Sequence, residues 1–133
     1  MVNPIVVKKW LEKAQRDLDF ASESLTNLKP PYFELICFHF QQAGEKYLKA
    51  FIVAKELEFK KSHNLVELLE ICKQKDGNFE KLRNECQFLT GFYIEPRYPE
   101  MLTVSYNLQR TERAQKAAKK VGDFVKRLLK IPS

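Results

Sequence analysis

The chain of 133 residues predicts an all-α fold, an up-and-down antiparallel helical bundle of about five helices of the four-helix-bundle type. Three observations predict it. Apolar residues recur at three- and four-residue steps along most of the chain, no useful length alternates apolar and polar as a half-buried strand would, and the proline- and glycine-containing segments fall between the periodic stretches. A chain of this length makes one domain, 1–133, which buries about two-thirds of the surface of its unfolded form.

The first helix starts at Pro4, a residue suited to an opening turn, and carries Val7, Trp10, Leu11, Ala14, Leu18, Ala21 and Leu25 until Asn27 and Pro30-Pro31 end it. A second, from about Tyr32 to Leu57, has a broad apolar face of Ile36, Phe40, Ala43, Tyr47, Ala50, Phe51 and Ala54, extended by Leu48 and Ile52. Ser62 can cap a third helix through Leu65, Leu68, Leu69 and Cys72. Turn chemistry in Asp76-Gly77-Asn78 precedes a fourth, marked by Phe79, Leu82, Cys86 and Leu89. The segment from Gly91 to Pro99 holds two prolines and cannot stay helical throughout. A long last helix, about Val104 to Lys130, completes the set. Short connections between such helices favour antiparallel neighbours.

Composition narrows the class. Hydrophobic residues at 44% and charged residues at 30% match an ordinary soluble globular protein. No apolar run reaches the length of a membrane span and no secretory leader pattern opens the chain, so the expected location is the cytoplasm and no membrane partner is expected. Cys37, Cys72 and Cys86 form no C-x-x-C pair and sit in apolar helical patterns, which points to reduced, buried thiols. The net charge of +6 is local: Tyr106 to Ser133 holds eight basic residues against Glu112 and Asp123, which accounts for all of it. That helix either faces an acidic partner or nucleic acid, or is a solvated face with cations suited to a helix C-terminus.

The candidate site lies on helix two, where His39, Gln42, Lys46 and Lys49 fall together in the sector left over by the apolar face. A histidine that only hydrogen-bonds within the bundle is one reading. A polar groove is the other, with Lys46 meeting phosphate as a point charge and His39 and Gln42 bonding a base, a sugar or a partner's main chain. His63 stands at the start of helix three, where free N–H groups favour an anion; packing of the helix end is the alternative. Arg97 sits between Pro96 and Pro99, which restrict the backbone and present its guanidinium to a carboxylate or phosphate, to a helix C-terminus, or to Glu45. Tyr93 and Tyr98 either stack on a ligand ring or close the end of the bundle. Two histidines without a third ligand at a recognised spacing assign no metal. With four glycines and no glycine-rich phosphate loop, no G-x-S-x-G and no H-E-x-x-H, nucleotide would have to bind through side chains and helix ends, and no cofactor is implied.

The run Phe38-His39-Phe40-Gln41-Gln42-Ala43-Gly44-Glu45-Lys46-Tyr47-Leu48-Lys49-Ala50, followed by Ser62-His63-Asn64-Leu65 and by Arg97-Tyr98-Pro99, resembles the HEPN family of small helical domains over nearly the whole chain. The resemblance implies a helical bundle and a homodimer. Many members are metal-independent ribonucleases with an arginine and a following histidine separated by four to six residues. This chain departs from that motif, with Glu56, Leu57 and Glu58 before His63 and Tyr32, Phe33 and Glu34 before His39. It is similar instead to the branch that accompanies minimal nucleotidyltransferases and to the helical C-terminal domain of kanamycin nucleotidyltransferase, in which the helical protein is a substrate-binding or partner subunit. Some such pairs behave as toxin and antitoxin. The expected groove residues are then His39, Gln42, Lys46, Lys49, His63 and Arg97, with nucleotide as ligand, none of them catalytic. An RNA-cleaving toxin is the alternative, and a purely structural interaction module a further one. Gly44 stands where the family more often has alanine; it costs about 1 kcal/mol of helix stability and lets a neighbouring helix come close.

Overall fold

The computed structural model of the chain describes residues 2–93 and 106–131. Among these the regular structure is all helical: α1 Pro4–Asn27, α2 Phe33–Ala54, α3 Leu65–Lys73, a 3-10 segment Gly77–Leu82 that leads directly into α4 Arg83–Thr90, and α5 Leu108–Leu128. The expected segment around Arg97 and the expected start of the last helix at Val104 lie outside the described residues.

Helix α1 opens as Pro4 suggests, with the Asn3 side chain accepting from the N–H of Ile5. It packs antiparallel on α2, as three cross-helix contacts show in order: Gln15 with Tyr47, Asp17 with Lys46, and Phe20 with His39. Helix α5 lies antiparallel to α1, since Gln115 reaches Ser22 while Lys126 reaches Gln15. Helix α4 runs antiparallel to α5, with Arg113 over the Phe88 ring and Lys120 bonded to Glu85.

Helix α2 is the central element, because its anticipated apolar face is enclosed on several sides at once. Ile36, Phe40, Ala43, Tyr47, Leu48, Ala50, Phe51 and Ile52 are all buried, against Ala14 and Ala21 of α1 and Ala114, Ala118 and Val121 of α5. Two glycines set the spacing. A Cβ on Gly122 of α5 would stand 2.6 Å from the Tyr47 ring, so α5 reaches this depth only with glycine there. On Gly44 it would meet Leu65 and Leu89 at 3.0 and 3.1 Å, and the close approach anticipated at this residue is therefore made by α3 and α4.

Several boundaries differ from the expected ones. Helix α2 stops at Ala54 rather than near Leu57: Glu56 takes a left-handed φ of 54°, its N–H bonds the carbonyl of Val53, and that of Leu57 bonds Ile52. This is a Schellman ending built without glycine. Helix α5 closes the same way, with Lys130 at φ 59° and Ile131 N–H on Lys126. The cap of α3 is Asn64, whose side chain accepts from Val66 and Glu67; Ser62 instead accepts from the Asn64 N–H and donates to Glu67. The expected fourth helix begins as 3-10, capped by Asp76 on the N–H of Asn78.

The connection 55–64 positions the candidate site. It doubles back along α2, so that Phe59 packs on Trp10 (5.7 Å between ring centroids) and His63 lies beside Gln41 and Glu45. All three cysteines are free and buried, and burial pushes the Cys86 thiol up to about 12.

Candidate functional site

Two carboxylates organise the polar side of α2. The first is Asp17 of α1, reached by two α2 side chains seven residues apart: His39 through Nδ1 at 3.1 Å and Lys46 through Nζ at 2.5 Å. Burial acts to raise the Asp17 pKa, but hydrogen bonds from His39 and Lys46 together with their charges outweigh it and hold the group below the usual aspartate value. Asp17 is therefore ionised near neutral pH and can only accept, so the His39 ring donates from Nδ1. The side chains of His39 and Lys46 remain 33% and 25% exposed, so this centre opens to the surface.

The depressed pKa fixes a pH dependence. A carboxyl group lowered in the folded state contributes stability above its unfolded pKa, and that contribution is lost as pH falls through the folded one. Asp17→Asn is expected to cost about 1–3 kcal/mol at neutral pH, because Lys46 and His39 lose a charged acceptor. The gap from wild type should shrink as pH is lowered from about 4 toward about 2. Denaturant midpoints of both proteins across that range check it.

The second centre is Glu45, whose side chain is 5% exposed. Its Oε2 accepts from Lys49 at 2.8 Å, and its Oε1 from His63 Nδ1 at 3.0 Å, Gln41 at 3.2 Å and Gln42 at 3.4 Å. Gln41 also donates to the His63 carbonyl and accepts from Gln42. The network is closed on itself and ties the incoming connection to α2.

A row of rings joins the two centres. Phe20 meets His39 edge-on at 4.8 Å, His39 meets Phe38 at 5.5 Å, Phe38 lies 6.1 Å from Tyr93, and Tyr93 stacks on His63 at 4.1 Å with 10° between the planes. At the Phe20 end a cavity of about 580 Å³ is lined by Lys13, Arg16, Asp17, Asp19, Phe20 and Lys46. Lys13 and Arg16 are exposed and make no ion pair among the described residues. The cavity thus presents three cations and two carboxylates beside an aromatic ring that is 56% exposed.

The six expected groove residues are divided by this geometry. His39 and Lys46 share the open Asp17 centre, whereas Gln42 and His63 belong to the Glu45 centre. Lys49 is a correction: only 7% exposed and paired with Glu45 beneath Phe59, it does not line an open groove, because the doubled-back connection covers that edge of α2. Arg97 lies outside the described residues, as does Tyr98. Asp17, Lys13, Arg16 and Phe20 were not anticipated; they lie on α1, and nothing in the pattern of α2 reveals what faces it. Among the described residues no cluster of histidine, cysteine and carboxylates could hold a metal ion, and no helix is long and apolar enough to cross a membrane.

Comparison with known proteins agrees with the fold. A family model described as HEPN domain matches residues 7–130. The crystal structure of TT1696 from Thermus thermophilus is similar at 28% identity and a TM-score of 0.78, covering 91% of this chain and 96% of that one. The crystal structure of ST0689, described as an archaeal HEPN homologue, superposes with a TM-score of 0.71 at 24% identity, over 92% of this chain and 96% of that one, a likeness of fold. No curated protein sequence matches significantly.

Proposed function

From the premise that the chain belongs to the HEPN domain family, we propose that it is a nucleotide-binding subunit without catalytic chemistry of its own, working with a separately encoded minimal nucleotidyltransferase. The observation that carries the reading is the cavity at Asp17, where Lys13, Arg16 and Lys46 stand beside the exposed Phe20 ring and His39. Cations placed as point charges suit a polyphosphate, and an exposed ring suits a base. The partner-binding half is supported by Leu28, Tyr32 and Leu35, large apolar side chains left exposed around the turn between α1 and α2, where a second copy or the nucleotidyltransferase would dock.

Ligand binding to the folded state alone raises stability by mass action. Thermal unfolding with millimolar nucleoside triphosphates should therefore shift upward by several degrees, and the shift should vanish in Lys46→Ala and His39→Ala. Absence of a shift with every nucleotide would sink the nucleotide half of the proposal.

One observation favours a second reading. His39 donating Nδ1–H to Asp17 has the carboxylate-oriented form of a general base, which would take the proton of a ribose 2′-hydroxyl while a nearby cation offsets charge on the phosphorane. Cleavage of RNA by the purified protein, abolished by His39→Ala, would select this toxin-like activity; intact RNA would exclude it.

A further inference from the structure

Away from both carboxylate centres, the end of the bundle where α1 begins and α5 finishes holds a separate cavity of about 620 Å³. Its walls are mainly apolar, with Val7 and Leu11 from α1, Ala54 from the end of α2, and Leu129 and Ile131 from the close of α5. The Schellman ending at Lys130 places Ile131 there, and it is left 41% exposed. The polar residues of the lining are Lys8, Glu12, Gln15, Tyr47 and Lys126. Gln15 joins Tyr47 and Lys126: its Oε1 accepts from the Tyr47 hydroxyl at 2.8 Å and from Lys126 Nζ at 3.2 Å, and its Nε2 donates to Asp19 at 2.9 Å.

Lys126 is the cation of this lining that makes no ion pair among the described residues. An ammonium has three protons to give, and the contacts of Lys126 are the neutral Gln15 oxygen and the Tyr47 ring at 5.7 Å, with no described carboxylate within ion-pair distance. Burial, and then the charges of nearby Asp19 and Asp123, raise the pKa of the Tyr47 hydroxyl. The other charges lining the cavity, Lys8 and Glu12, lie 4.0 Å apart and offset each other. An apolar cavity with one cation outside any ion pair, held in place by the Gln15 amide oxygen, is complementary to a ligand with one negative charge and an alkyl body.

We propose that this cavity binds an amphipathic monoanion, an alkyl carboxylate whose head meets Lys126 and whose chain lies along Val7, Leu11 and Leu129. The volume falls within the range of small-ligand sites. One cation without an ion-pair partner suits one carboxylate better than a polyphosphate or an acidic peptide, for which several such cations would be needed. The site shares no ligand-contacting side chain with the Asp17 cavity, so it stands whether or not nucleotide binds there.

Isothermal titration with octanoate, decanoate and dodecanoate, each below its micelle concentration, tests the assignment, with decanol as the uncharged control. Saturable binding is expected, tightening about three- to four-fold for each methylene that becomes fully buried. Decanol should bind at least about ten-fold more weakly than decanoate, and Lys126→Met, which keeps the stem and removes the charge, should weaken decanoate by a similar factor. Val7→Glu should abolish binding with the helical circular-dichroism spectrum intact. The proposal is overturned by no saturable binding, by decanol binding as tightly as decanoate on the wild type, or by a folded Lys126→Met that binds normally. It is equally overturned if the free protein is an oligomer that keeps Val7 and Leu129 covered and excludes decanoate.

Discussion

Glu45→Ala is expected to lower stability by about 3–5 kcal/mol, because it strands a buried cation. The Lys49 ammonium is 7% exposed and has Glu45 as its only carboxylate partner among the described residues, while His63 and Gln41 lose the oxygen that joins the 55–64 connection to α2. The pair itself need not be net stabilising, since taking two charges out of water offsets much of their attraction. A double-mutant cycle separates the two effects. Glu45→Ala alone should be severe, and adding Lys49→Met should recover part of the loss, because the stranded charge is removed and an apolar stem remains beneath Phe59. Denaturant midpoints of the wild type, both single variants and the double variant give the result. Equal losses from Glu45→Ala and from the double variant would mean that Lys49 finds water when its partner is gone.

Phe79→Ala should cost a similar amount, about 3–5 kcal/mol, for an apolar reason. Phe79 is fully buried in the 3-10 segment and meets Phe51 of α2 at 4.6 Å and Phe124 of α5 at 4.9 Å, both edge-on. It is the apolar contact through which the short segment between α3 and α4 grips both long helices. Truncation removes the transfer free energy of the ring and leaves a cavity whose walls are held by those helices and cannot collapse fully. Phe79→Leu, which refills most of the volume, should recover more than half of the loss. The ion pairs around the same segment, Lys73 with Glu80 and Arg83 with Glu80 and Glu70, are exposed enough that their removal is expected to cost far less.

Where the sequence was readable, the reason was periodicity. The apolar face of α2 occupies the positions assigned to it because burial on one side of a helix imposes a 3.6-residue repeat that survives any detail of packing. The helix ends were less legible. Schellman endings ordinarily announce themselves with glycine, but Glu56 and Lys130 carry the left-handed residue here, so nothing in composition marks Ala54 and Leu128 as the last helical residues. Ser62 and Asn64 are both good caps, and the choice between them depends on where the first helical turn begins, which is at Leu65, directly after Asn64. The candidate site divides along the same line. His39, Gln42 and Lys46 were visible as a polar sector of one helix, whereas Asp17 and Arg16 face that sector from another helix, at a rotation and height set by packing. Lys49 was misplaced because a wheel drawn for an isolated helix has no connection folding back over it.

Nucleotide binding in the Asp17 cavity, as proposed, is tested most directly by a nuclear magnetic resonance titration of the protein with ATP and GTP that follows the ring signals of His39 and Phe20. Saturable, concerted shifts of both rings are expected together with those of Lys46 and Arg16, while Leu129 at the far end of the bundle stays still. Rings of His39 and Phe20 that do not move at millimolar nucleotide, or shifts that centre on residues away from Asp17, would contradict that proposal.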